Sequence, residues 1–128
     1  MRKTNFYTAE QLEQIAVFDW IRLHPEIAKI AFHVPNEGRR SLFTGNLLKK
    51  MGLLAGVSDI IVLKAAHGYH GLCIELKAKD SNGKFGRPTK AQMDFIDAVC
   101  EQNYYATVCN GAFEAIEVLE WYLKDGKK

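Results

Sequence analysis

The sequence predicts an α/β fold with a mixed sheet flanked by helices, and three observations predict it. Short apolar runs of strand length, Ile60-Ile61-Val62-Leu63 and Leu72-Cys73-Ile74-Glu75-Leu76, are interleaved with longer segments of helical periodicity. Those longer segments open on capping boxes, Thr8 with Gln11 and Thr89 with Gln92. The resulting order is helix, strand, helix, hairpin, helix, strand, helix, which suits helices layered on a sheet.

Taken in order, Leu12, Ile15, Ala16, Trp20 and Leu23 recur at helical spacing after Thr8, so a first helix is expected over 8–23, ended by Pro25. Ile30, Phe32 and Val34 alternate with smaller or polar residues ahead of the turn-forming cluster Pro35-Asn36-Glu37-Gly38, which predicts a short strand running into a loop. A shorter helix carrying Leu42, Phe43, Leu47 and Leu48 should stop near Gly52. The two apolar runs are joined by Ala65 to Gly71, short enough for an antiparallel hairpin. Residues 78–88 lack periodicity and are rich in turn formers, so they read as a loop. Thr89 then opens a helix with Met93, Ile96, Val99 and Cys100 on one side, Tyr104 to Cys109 is a strand, and Ala112 to Lys124 a closing helix.

A chain of 128 residues has room for one core, so a single domain over 1–128 is expected. Its 48% hydrophobic and 25% charged residues match ordinary globular proteins and exclude wholesale disorder. A net charge of +2 is too small to identify a polyanionic partner by itself. Cys73, Cys100 and Cys109 form no CxxC pair, which speaks against a disulfide framework or a zinc knuckle and for a reducing cytoplasm. No exported leader is expected, because Met1-Arg2-Lys3-Thr4-Asn5 leads into an amphipathic segment rather than an unbroken apolar run, and no membrane span, because no stretch approaches the roughly eighteen apolar residues needed to cross a bilayer.

The chemistry gathers around the hairpin. Asp59 stands immediately before one strand, while Glu75 and Lys77, two apart, share a face near the end of the other. Antiparallel pairing brings the start of the first strand opposite the end of the second, so the two carboxylates meet beside one ammonium. Acids held this close on apolar strands need a cation, and hard oxygen donors suit Mg²⁺ or Mn²⁺. Alone, Glu75 and Lys77 would be an ion pair on a strand edge, contributing about 0–1 kcal/mol, and Asp59 an ordinary turn aspartate. The apolar neighbours Ile74 and Leu76 favour a buried and functional pair instead.

Gly56-Val57-Ser58-Asp59, the apolar strand after it, and Ile74-Glu75-Leu76-Lys77 together resemble the bipartite signature of PD-(D/E)XK nucleases. Within that superfamily the chain resembles the VRR-NUC family, through Glu10 with Gln14, Pro35-Asn36-Glu37-Gly38-Arg39-Arg40, Gly52, Gly71-Leu72 and Gln92, which span nearly the whole sequence. The resemblance implies a restriction-endonuclease-like mixed sheet with an αβββαβ-type core flanked by helices. It implies that Asp59, Glu75 and the carbonyl of Leu76 bind Mg²⁺ or Mn²⁺, that Lys77 serves the attacking water, and that Gln92 and Glu10 complete the catalytic group. Ser58 replaces the commoner proline of the motif, and serine also suits a turn. Glu13, one turn along the helix, competes with Glu10 for its role.

The same resemblance implies a DNA endonuclease acting on Holliday junctions or other branched DNA in replication and repair, in a bacterial or phage-infected cell. It also implies a homodimer, and no small-molecule cofactor or membrane is expected. Asn36, Arg39, Arg40, Lys49, Lys79 and Arg87 are the expected phosphate contacts, since basic residues crowd the segments near the proposed site while acids gather toward the other end of the chain. A solvated charged face is the commoner meaning of such clusters. Two other readings stay open: a catalytically silent DNA-binding module with the nuclease fold, and an RNA-directed nuclease. His67 and His70 are expected as exposed turn residues rather than zinc ligands, and Tyr104, Tyr105, Phe113 and Trp121 as core or interface.

Overall fold

A computed structural model describes residues 6–35 and 42–125, apart from the side chain of Leu42. Helix α1 (Ala9–Arg22) starts where Thr8 Oγ1 accepts the Gln11 N–H and the Gln11 side chain accepts the Thr8 N–H, so two of the orphan donors at its start are met. Pro25 ends this run but also begins a four-residue helix, α2 (Pro25–Ala28), at the position where a missing N–H costs nothing. Strand β1 (Ala31–His33) follows. Helix α3 (Leu42–Lys50) closes on Gly52, whose φ of 113° lets Leu53 N–H reach the Leu48 carbonyl. The remaining elements are β2 (Ile60–Val62), β3 (Leu72–Lys77), α4 (Lys90–Glu101), β4 (Tyr105–Asn110) and α5 (Gly111–Leu123).

The sheet is four-stranded in the order β1-β2-β3-β4. β1–β2 and β2–β3 are antiparallel and β3–β4 parallel, so the sheet is mixed, as the sequence predicts. A parallel neighbour requires a crossover, and α4 supplies it. Side chains alternate between the faces. Ile60, Val62, Leu72, Ile74 and Leu76 pack in one core with Val17 and Ile21 of α1 and Ala115, Leu119 and Tyr122 of α5. Glu75 and Lys77 therefore project from the opposite face, where Lys77 meets Gln92 of α4. Being central, β3 is buried along both faces except at Lys77, which explains its unbroken apolar run.

Strand β1 departs from its expected pattern. Its apolar residue Phe32 is exposed and Ala31 and His33 are the half-buried positions, because on this edge strand the row Ala31–Val62–Leu72 faces the main core. Tyr122 Oη, from α5, donates to the Lys64 carbonyl at 2.6 Å and fixes the closing helix to the hairpin loop.

Candidate active site

Ile60 pairs with Ile74, so the next rung of the same ladder sets Asp59 opposite Glu75. Asp59 Oδ2 accepts the Leu76 N–H at 2.7 Å. That bond ties the aspartate to the strand bearing the second acid and directs the Leu76 backbone edge toward it. In an antiparallel ladder the N–H and carbonyl of one residue face the same neighbour, so the Leu76 carbonyl lies on the Asp59 side. The Gly-Val-Ser-Asp turn reaches this place by passing close to α4: Gly56 has φ 89°, and a Cβ there would collide with the Ala91 carbonyl.

Glu75 is 2% exposed. Its Oε2 lies 3.6 Å from Lys77 Nζ, while Oε1 is buried with no hydrogen-bond partner among the described residues. Burial first, and then the Asp59 carboxylate beside it, push the Glu75 carboxyl up to about 8, with the Lys77 ammonium opposing the rise. Lys77 Nζ donates to Gln92 Oε1 at 3.0 Å. The same oxygen accepts the Thr89 N–H at 2.8 Å, so the capping box that starts α4 also holds the lysine.

Beside Asp59 opens a cleft of about 520 Å³ whose walls include Glu10, Gln14, His33 and Asp59. Glu10 and Glu13 are distinguished here. Glu13 Oε1 accepts the Ala112 N–H at 2.7 Å and so caps the first turn of α5, whereas Glu10 faces the cleft shared with Asp59. Among the described residues no three His, Cys, Asp or Glu side chains are arranged to hold a metal. The close oxygen set is Asp59, Glu75 and the Leu76 backbone, with Glu10 lining the same cleft as Asp59.

Sequence reasoning missed His33. Its Nδ1–H donates to the Asp59 carbonyl at 2.8 Å, since a carbonyl can only accept, and this leaves Nε2 with the lone pair in the neutral ring. The pairing of His33 with Ile60 would have revealed it, but that register spans the insertion of α3 and cannot be read from local pattern.

Of the expected phosphate contacts, Lys49, Lys79 and Arg87 are exposed, and Lys79 lies over the Phe85 ring at 5.5 Å. Asn36, Arg39 and Arg40 lie outside the described residues. His70 is exposed, as expected, but His67 is not a plain turn residue. With φ at 54°, it folds its ring onto Trp121 at 4.1 Å and donates from Nε2 to the Trp121 carbonyl at 2.9 Å, docking the hairpin loop on the end of α5. Phe113 is largely exposed, and Tyr104 and Tyr105 are half-buried.

A mixed sheet with helices on both faces, carrying opposed acids and a lysine toward its strand ends, defines an α/β domain. The VRR-NUC domain model matches residues 6–113, and the chain belongs to that family. It is also similar to a solved VRR_NUC domain protein at 29% identity and a TM-score of 0.78, over 94% of this chain and 93% of that one. No curated protein matches the chain. Family membership implies a nuclease-type, DNA-binding domain. No helix among the described residues is long and apolar enough to cross a membrane.

Proposed function

We propose that this chain is a divalent-metal-dependent DNA endonuclease with Asp59, Glu75 and Lys77 at its centre. The observation that carries the reading is the Glu75 carboxylate: a buried acid with one unpartnered oxygen, set against a second acid. Such an arrangement is costly unless a cation joins it. The donors fit Mg²⁺ or Mn²⁺, because all are hard oxygens and two carboxylates with a carbonyl leave the remaining positions to water and phosphate. Asp59, Glu75 and the Leu76 carbonyl would hold the ion, with Glu10 adding negative charge from the same cleft. When bound, the ion polarises the phosphoryl group and lowers the pKa of water.

The chain's own groups supply the rest. Lys77 Nζ, steered by Gln92 and Glu75, orients the attacking water and stabilises negative charge growing on the phosphoryl oxygens. Water adds in line to phosphorus, the bond to the 3′-oxygen breaks, and that oxygen leaves. Lys49, Lys79 and Arg87, with Asn36, Arg39 and Arg40, would contact flanking phosphates. The substrate we propose is branched DNA, such as a Holliday junction, in replication or repair. A twofold dimer would bring two sites to two strands, and the exposed apolar residues Phe43, Leu47 and Met51 on and after α3 support a second copy as partner.

Incubating a labelled four-way junction with Mg²⁺ or Mn²⁺ tests the reading. Cutting by the native chain and its loss in Asp59→Ala are expected; junction binding without metal-dependent cutting in the native chain would make it a silent binding module. A matched RNA junction and sedimentation of the protein, alone and with DNA, test the substrate and dimer proposals.

A further inference from the structure

We infer that the cleft beside Asp59 receives an unpaired nucleobase, so that the enzyme selects DNA with an unstacked nucleotide next to the cut. This inference rests on the nuclease reading above and specifies its substrate. Part of the cleft's lining is apolar and aromatic, from Phe6, Tyr7, Ile15 and Pro35. Phe6 is 85% exposed, an unusual position for a phenylalanine. Its polar lining includes Gln14 and His33. Gln14 Nε2 is a buried donor with no partner among the described residues, and His33 commits its Nδ1–H to the Asp59 carbonyl, so that in the ring's uncharged form Nε2 is an acceptor.

A nucleobase matches this combination. It has two apolar π-faces for aromatic rings and an edge of mixed acceptors and donors for an amide and an imidazole nitrogen. The cleft, at about 520 Å³, falls in the range of pockets that enclose small planar groups. It is continuous with the candidate catalytic group, because Glu10 and Asp59 form part of its wall. A base lodged there puts its neighbouring phosphate within reach of those acids. A paired and stacked base cannot enter without first leaving the helix, at a cost that is least where it is already unpaired. Selection of branched or frayed DNA then follows from the pocket itself, with no need to read sequence.

The test compares binding of a short single-stranded oligonucleotide with that of the same backbone built from abasic sites, by fluorescence anisotropy in EDTA. The native chain should bind the base-bearing strand roughly tenfold tighter. The Phe6→Ala/Tyr7→Ala double variant should bring that ratio near one while leaving affinity for the abasic strand unchanged. Gln14→Met, which keeps the length but removes the donor, should lower the ratio in part. A native ratio of one, or a ratio that neither variant alters, overturns the inference. The four-way-junction cleavage assay with Mn²⁺, run on the same preparation, separates the two readings. A tenfold ratio without cutting leaves the base pocket standing and removes the nuclease reading, whereas cutting with a ratio of one does the reverse.

Discussion

Lys77 donates to the side-chain oxygen of Gln92, and that oxygen is also half of the capping box at the start of α4. A helix cap and the direction of an active-site ammonium are thus one device. Two variants take it apart. Thr89→Ala removes the hydroxyl that accepts the Gln92 N–H and should cost about 1 kcal/mol, while the lysine keeps its partner. Gln92→Ala should cost a similar amount and also release Lys77, so single-turnover cleavage should fall on the order of tenfold further than in Thr89→Ala. Equal rates in the two variants, at matched thermal stability, would show that Gln92 acts only as a cap.

Glu75 makes the folded chain sensitive to pH in a direction that runs against ordinary surface acids. Its carboxyl is pushed from 4.5 up to about 8, chiefly by burial and then by Asp59, so the folded state holds the proton more tightly than the unfolded state does. Below 4.5 both states are protonated and the group has no effect. Between 4.5 and 8 the unfolded chain releases the proton first and stability falls, reaching its full cost above 8. In EDTA, Glu75→Gln should therefore melt higher than the native chain at pH 9, by on the order of 5 °C, with the gap closing toward pH 4.5. Calorimetry on the same variant should show loss of Mn²⁺ uptake; native-like uptake by folded Glu75→Gln would remove Glu75 from the ligand set.

Gly56 is demanded by two constraints at once, a positive φ and the near contact of its backbone with Ala91 at the start of α4. Gly56→Ala cannot be accommodated by rotating a side chain, because the obstacle is main chain. We expect a loss of about 2–3 kcal/mol, read as a lower denaturant midpoint, together with slowed cleavage as Asp59 shifts from Glu75. Gly83 also has a positive φ, but a Cβ there meets open space, so Gly83→Ala serves as the control for backbone strain alone.

The parts of this fold that local pattern specifies were legible in the sequence. Both capping boxes form, and the hairpin sets Asp59 against Glu75 because a short loop leaves few registers in which the apolar residues stay buried. Contacts between distant segments were not legible. β1 pairs with β2 across α3, so neither the outward-facing Phe32 nor the His33 bond to Asp59 could be anticipated from alternation. α2 has four residues, too few for a period to show. His67 looked like any residue of a turn until the end of α5 provided a surface for its ring. The acid of the first helix is the clearest case, since Glu10 and Glu13 both lie on it and only the position of α5 separates them.

Glu13 reaches across 99 residues of sequence to the Ala112 N–H, where the helix dipole and an unpaired donor favour an anion. Asn110, the residue before α5, gives it no side-chain cap, so Glu13 takes over that task. Glu13→Ala should lower stability by about 1–2 kcal/mol, the cost of an N-cap with a partly buried donor left unmet. Glu10 is exposed and holds no such bond, so Glu10→Ala should leave the melting temperature within about 1 °C of the native chain. If Glu10 is the acid that serves the cleft, its loss should slow metal-dependent cleavage at saturating DNA while Mn²⁺ uptake by Asp59 and Glu75 persists. The reverse pattern, with Glu13→Ala folded and stable but inactive and Glu10→Ala fully active, would transfer the catalytic assignment to Glu13.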